Sequence, residues 1–513
     1  MAFVALIRPP SLFSRSAVTL NATPPISLAY LAGSLTVAGH HVQIIDAVGE
    51  AIEQIYPAGL GELLANGLTH QEIIERLDPR AEFIGISCLF THEWPNIRRL
   101  ARAIREARPG ALIVCGGEHI TAEPEYSLSD CEAVDCAVVG EGEETIVDLV
   151  RAVGSGAGFG GVPGLVYRNG REVVLAPSRQ RIRAIDEIPR PRWDLTPLRT
   201  YLDKGYSFGV NRGRTIPMLA TRGCPYQCTF CSSPQMWTTQ WFARKPELVI
   251  AEIEDYIREY GVENIDFYDL TAVVKKEWIA DFCRLLTAAD LGITWQLPSG
   301  TRSEAIDAEV AQLLYRSGCT NLSYAPESGS PRILKRIKKK VQLDRMLDSM
   351  REAVGSGLNV KANIILGFPE ETHLDVWKSF SFIARTALAG LNDISIWIYS
   401  PYPGCELFKE LRAQGRIKSF DDRYFIALLS YADLKNVVSW DDKLPARTLK
   451  FYRIFGMLLF YGMSYLSNPL RFFRTVRNLL RQKHESRMEM ALGAFLKRLR
   501  FSADRVNPLG RTS

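Results

Sequence analysis

No stretch of this 513-residue chain reaches about 18 uninterrupted apolar residues, so no membrane-spanning helix is predicted. The opening MAFVALIRPP lacks a basic n-region, a long apolar h-region and a small-residue cleavage site. It reads as a first buried strand ending in proline, not as a secretory signal, and a cytoplasmic location is expected. Charge of one sign is not in large excess. The 62 Lys and Arg against 57 Asp and Glu leave +5, too little over this length to argue for a nucleic-acid partner. There is no internal repeat and no low-complexity segment. In a reducing compartment, clustering among the ten cysteines points to metal ligation sooner than to disulfides.

What is present is alternation. FVALI (3–7), HVQIID (41–46), FIGISCLF (83–90), ALIVCGGEH (111–119) and the start of CAVVGEGEETIVDLVRAV (136–153) are strand-like. ISLAYLAGSLTVAG (26–39) and NIRRLARAIREA (96–107) have helical spacing. This predicts an α/β fold, a doubly wound parallel sheet over residues 1–154, with ligands outside the carboxyl ends of its strands. Those ends carry Pro9, Pro10, Asp46, Ser87, Cys88, Gly116, Gly117, Glu118, His119, Gly140, Glu141, Gly142 and Glu143. Residues 155–205, richer in Gly and Pro, read as a linker pinned to both neighbours by Trp193 and Leu195. About six further strand–helix units over 206–415 predict a partial barrel, whose sites lie at the C-terminal strand ends. Residues 416–513 have few strand signals and read as helical.

The stretch TRGCPYQCTFCSS (221–233) places Cys224, Cys228 and Cys231 in a C-x3-C-x2-C run. A structural zinc site closes with four ligands, and an ordinary iron–sulfur carrier uses four cysteines. Three would leave one iron of a four-iron cluster open to a substrate or cosubstrate. A zinc site completed by a distant residue and a fortuitous loop cluster are the alternatives.

The pattern C-x3-C-x-aromatic-C, matched by Cys224, Cys228, Phe230 and Cys231, resembles the radical S-adenosylmethionine superfamily. The resemblance implies a [4Fe–4S] cluster on the three cysteines, with the amino and carboxylate groups of S-adenosylmethionine on the fourth iron. It also implies reductive cleavage to a 5′-deoxyadenosyl radical, with Phe230 near the adenine. PESGSPRILKRIKK (326–339) resembles the family's E-S-G segment, which makes Glu327 and Ser328 cosubstrate contacts. NIILGFPEET (363–372) resembles its G-x-I-x-G-x-x-E strand through Ile365, Gly367 and Glu370, with Asn363 in place of the first glycine. FYDLT (267–271) offers Asp269 as a polar contact. An external flavodoxin- or ferredoxin-type electron donor follows from the same resemblance. Cys115, Cys131, Cys136, Cys283, Cys319 and Cys405 have no ligand spacing and read as buried small residues. Cys405, just after PYPG, is also considered for a catalytic role; no other catalytic residue is assigned.

The first 154 residues resemble the cobalamin-binding domain fused before many enzymes of that superfamily. Gly116-Gly117 and Gly140-Glu141-Gly142 would allow close backbone approach to a large ligand. A nucleotide-binding Rossmann-like domain is the alternative, but no G-x-G-x-x-G follows the first strand. D-x-H-x-x-G, which supplies a lower cobalt ligand, is also absent. The resemblance therefore implies cobalamin without histidine on the metal, its lower face open or covered by the loop Cys88–His92. Cys88 reads as a buried structural thiol and His119 as a loop residue.

Between Arg447 and Arg500 stand twelve Lys or Arg and two acids. They interleave with Phe451, Tyr452, Phe455, Leu458, Leu459, Phe460, Tyr461, Phe472, Phe473 and Phe495. This reads as a membrane-surface element or as a helical cap on the barrel with a solvated basic face; both can hold. Together these readings resemble cobalamin-dependent radical S-adenosylmethionine enzymes. They imply a C-methyltransferase acting on a hydrophobic lipid, isoprenoid or tetrapyrrole-like substrate. A ring-forming cyclase is the alternative, and a cobalamin-dependent sensor or electron carrier is the rival of another class.

Overall fold

The computed structural model describes residues 1–16, 22–302, 305–431, 433–490 and 492–493. The first sheet contains five parallel strands: β1 (Phe3–Arg8), β2 (His41–Asp46), β3 (Phe83–Ser87), β4 (Leu112–Gly116) and β5 (Cys136–Val138). An antiparallel hairpin, β6 (Leu165–Asn169) and β7 (Glu172–Leu175), extends it in the order β7-β6-β5-β4-β3-β1-β2. Chain order reverses between β1 and β3, which opens a crevice at their carboxyl ends. The hairpin falls where an extended linker is expected. Its signal is short: two β-prone runs around Asn169-Gly170, with Gly170 at φ +63°. A small sheet of Ser11–Ser14, Ile55–Pro57 and Leu63–Asn66 also lacked a clear sequence signal.

The second sheet has six parallel strands in sequential order: β8 (Thr215–Met218), β9 (Asn264–Phe267), β10 (Thr294–Thr301), β11 (Cys319–Glu327), β12 (Asn359–Leu366) and β13 (Asp393–Ile398). Alternation sets its two faces. Along β12, Val360, Ala362, Ile364 and Leu366 are buried under helices, while Lys361, Asn363 and Ile365 take the opposite face. The outer face is continuous apolar core; the inner one is polar enough to hold a ligand.

One hydrophobic cluster runs from Ile86, Trp94 and Ile97 of the first domain to Phe368, Tyr399, Phe408 and Phe425 of the second. It fixes the two sets of strand ends relative to one another. The connector is pinned on both sides. Trp193 is buried in the barrel core and donates to Tyr256 at 3.0 Å, while Leu195 packs on the first domain.

Helix Ala446–Ser467 caps the barrel, burying Leu449, Tyr452, Gly456 and Phe460 against β13 and helix His373–Leu388. Helix Pro469–Arg481 follows, and Gln482, at φ +54°, turns the chain. The helical reading of 469–501 is interrupted at 482–486 and resumes over 487–490: Asn478 Nδ2 and the Glu485 amide both donate to Glu489, folding the next segment back under the barrel. Phe495 lies outside the described residues. No helix among the described residues is long and apolar enough to cross a membrane.

Candidate active site

The cysteine loop leaves β8 under tight control. Asp269, buried after β9, accepts from the amides of Ala220 and Thr221 and from the Thr221 hydroxyl. Burial pushes its carboxyl up to about 6 against those donors. Thr221–Gly223 pairs with Trp241–Ala243. Gly223, at φ +90°, lies so close to Gln240 that a Cβ would sit 2.1 Å from its carbonyl oxygen. The loop is then tied down by Thr229, whose amide donates to Ile337 and whose carbonyl accepts from Leu407.

Cys224, Cys228 and Cys231 are half-buried free thiols, whereas the other seven cysteines are buried. Burial raises all three, Cys231 to about 12, and Lys339 and Arg302 pull Cys224 and Cys228 back down. The Ser233 amide donates to Cys231 Sγ at 3.4 Å. Among the described residues no three His, Cys, Asp or Glu side chains are placed to grip a single ion. Three thiols on one loop with two cations beside them fit an anionic thiolate-held cluster better than a lone zinc ion.

Phe230 meets Phe368 edge-on at 5.5 Å, and Phe368 leans on Tyr399. Glu327, at φ +65°, accepts from Lys339 Nζ at 3.0 Å, both buried. Arg302 lies over the Tyr226 ring at 3.6 Å. Lys339 and Arg302 were not singled out from sequence; the only cue was their position near predicted strand-end motifs. Ser328 turns away, its hydroxyl 3.3 Å from that of Ser379 and accepting from the Ser330 amide. Glu370 has an exposed side chain 3.4 Å from Arg336. Its neighbour Glu371 is the buried one and accepts from the Gly367 amide at 2.5 Å; burial raises it to about 8. Ile365 is half-buried on the inner face of β12. Cys405 is buried and its sulfur caps helix Glu406–Ala413, accepting from the Phe408 amide at 3.3 Å.

The first domain meets this loop directly. Ser232, beside Cys231, donates to Glu118. Arg222 reaches Glu141 at 3.2 Å and Glu143 at 2.6 Å, and Arg181 reaches Glu141 at 2.7 Å. The Glu141 carboxylate is thus a domain junction. Gly117 permits contact with Cys88, whose carbonyl oxygen would lie 2.3 Å from a Cβ, and Gly142 packs on Leu31. Gly116 faces Val138, while Gly140, at φ +80°, has open space where a Cβ would project. Pro9 and Pro10 are buried, Ser87 is half-buried, and Cys88 is fully buried at the end of β3. Beyond it Leu89 and Phe90 are 45% and 49% exposed. The open Gly140 backbone and this exposed apolar pair at the strand ends fit a large planar ligand in the crevice.

His119 lies in helix Glu118–Ala122 rather than in a loop. It is buried between Trp94 and Phe425, with Nδ1 3.2 Å from Thr91 Oγ1 and Nε2 3.4 Å from Ser127 Oγ. Both ring nitrogens face protein hydroxyls, and burial lowers its pKa to about 3.

Residues 16–150 match the B12 binding domain model and residues 218–383 the Radical SAM superfamily model. A Pyrococcus horikoshii protein described as an uncharacterized methyltransferase is 30% identical over 85% of this chain and 89% of its own length. The anaerobic magnesium-protoporphyrin IX monomethyl ester cyclase of Cereibacter sphaeroides is 26% identical, covering 81% of this chain and 65% of its own. The structure of the radical S-adenosylmethionine methyltransferase TsrM from Kitasatospora setae, with cobalamin and a [4Fe–4S] cluster bound, shares the fold at TM-score 0.62. It is 18% identical and covers 81% of this chain and 78% of its own.

Proposed function

The chain belongs to the radical S-adenosylmethionine enzymes that carry a B12-binding domain, and from that premise we propose that it is a cobalamin-dependent C-methyltransferase. The observation that carries the reading is the seam between the two domains, where Glu118 touches the cysteine loop and Arg222 binds Glu141 and Glu143. It sets the crevice of one sheet beside the three thiols of the other, as a two-cofactor reaction requires.

Cys224, Cys228 and Cys231 would hold the [4Fe–4S] cluster, which with S-adenosylmethionine supplies a hydrogen-abstracting radical. Cobalamin in the Gly140 and Leu89–Phe90 crevice would supply the methyl group. The chain's own part is positioning. Asp269 and Gly223 fix the loop, Lys339 and Glu327 place paired charge at its rim, and Phe230 adds an aromatic face. An external electron donor would deliver reducing equivalents. The substrate is a hydrophobic molecule such as a lipid, isoprenoid or tetrapyrrole-like ring. The outer faces of helices Ala446–Ser467 and Pro469–Arg481 would rest on the membrane surface that stores it.

The test is anaerobic growth on methionine with a trideuterated methyl group, comparing hydrophobic extracts from wild type and Cys228→Ala by mass spectrometry. A wild-type-only product carrying the whole labelled methyl is expected. A wild-type-only product without label overturns methyl transfer and favours the cyclase reading, for which the Cereibacter relative is the precedent.

A further inference from the structure

The barrel floor holds two cations for which nothing above has a use. Lys361 takes the inner face of β12. Arg487 comes from the segment that folds under the barrel, its guanidinium over the Phe208 ring at 4.6 Å. Both line one cavity with Asn321, Ser323, Asp393 and Ser486. Neither side chain has a hydrogen bond or an ion pair within 4 Å among the described residues.

Asp393 and Glu485 line the same cavity and Asp266 lies near it; the oxygens of Asp393 and Asp266 are engaged by other donors. Asp393 accepts from the Tyr461 hydroxyl at 2.6 Å and from the amides of Ile394 and Arg487. Asp266 accepts from the Gly209 amide at 2.7 Å and from Asn264 Nδ2. Burial lowers the Lys361 ammonium to about 7, Arg487 pushes it the same way, and the Asp393 carboxylate pulls it back up. Two cationic side chains that line one cavity, neither ion-paired within 4 Å among the described residues, offer their donors to an anion.

We propose that Lys361 and Arg487 bind an oxyanion, a carboxylate or phosphate, at one end of the substrate. This deepens the methyltransferase reading and rests on it. Four residues separate Lys361 from Ile365, as they do Ser323 from Glu327, so the anion would sit about 13 Å below the rim at ~3.3 Å per residue. Trp397 is four residues further along β13 than Asp393, and Tyr268 is two residues beyond Asp266. Phe208 meets Tyr268 at 5.6 Å, and Trp397 leans on Tyr431 at 5.7 Å. The substrate class is thus an elongated amphiphile, its charged end on the floor and its reacting carbon at the cysteine loop.

The probes are inorganic phosphate and acetate, with chloride at equal ionic strength as control. Lysines of the full chain are reductively methylated with 13C-formaldehyde, and the Lys361 signal is assigned by its absence in Lys361→Arg. A saturable shift of that signal with phosphate, acetate or both is expected, and which anion acts tells phosphate from carboxylate. Arg487→Met should weaken the binding at least tenfold, and Arg487→Lys should restore part of it. No shift with either anion, or equal binding in Arg487→Met, overturns the site. The readout needs no methyl transfer. A shift without labelled product overturns only the reaction, and labelled product without a shift overturns only the site.

Discussion

Arg222, two residues before Cys224, donates to Glu143 of the other domain at 2.6 Å, both buried. Burial alone would raise the Glu143 carboxyl, but the Arg222 charge and hydrogen bond outweigh it and hold it below its ordinary value. Glu143→Gln leaves a buried guanidinium with Glu141 as its remaining carboxylate. A cost of about 2–3 kcal/mol is expected in denaturant unfolding, under the ~3–5 of a fully orphaned partner. Glu143 stabilises the fold above the ordinary glutamate pKa and loses that contribution as pH falls through its depressed value. The variant should show a flatter acid limb than wild type; an unchanged limb would remove Glu143 from the account.

Lys339 pairs with Glu327 at 3.0 Å and lowers Cys228 by its charge. Net charge beside an iron–sulfur centre helps set its potential. Lys339→Met should lower the reduction potential of the reconstituted cluster, read by EPR-monitored titration, while Lys339→Arg should keep it near wild type. An unshifted potential in Lys339→Met at full iron content would place the lysine's charge outside the cluster's field.

His119 and His92 are buried neutral, lowered by burial to about 3 and about 4. Both gain protons on unfolding below pH about 6.5, so stability falls with pH from there and levels off below the folded values. His119→Phe should remove part of that slope. With both nitrogens facing hydroxyls, the cob(II)alamin EPR spectrum should lack histidine nitrogen splitting and be the same in the variant. Splitting present in wild type and lost in His119→Phe would show that the ring leaves its pocket to bind cobalt.

The first sheet, the partial barrel and the three cysteines were legible because each rests on local pattern: apolar alternation, glycine at strand ends, thiols spaced on one loop. Glu141 shows where that stops. A Gly-Glu-Gly at a strand end reads as a ligand loop, yet the carboxylate binds Arg181 and Arg222, partners far along the chain that no local spacing announces. The same holds for Lys361 and Arg487: a lysine in an alternating strand reads as solvent-facing until the strand closes into a barrel. The placement of Ser328 and Glu370 has a related reason, since the face a strand-end residue takes depends on the helix packed behind it.

The cap and membrane readings of the C-terminal region concern opposite faces of the same helices. With Leu449, Tyr452 and Phe460 turned inward, Phe451, Ile454, Leu458 and Leu466 form an exposed stripe spaced three, four and eight residues apart. Leu470, Phe473, Val476 and Leu480 continue it on the next helix, and Trp377 joins from helix His373–Leu388, 5.9 Å from Phe455. Arg474, Arg477 and Arg481 are exposed on the helix that bears Phe473. Burying a Phe or Leu is worth ~1.5–3 kcal/mol, and a basic residue at an anionic surface ~1 kcal/mol. The protein should float with anionic liposomes at low salt and less at high salt. Leu470→Ser with Phe473→Ser should reduce flotation at least tenfold at every salt concentration. Arg474→Gln with Arg477→Gln should weaken it mainly at low salt. Wild type remaining wholly in solution would leave the stripe to another occupant and withdraw the bilayer as the source of substrate.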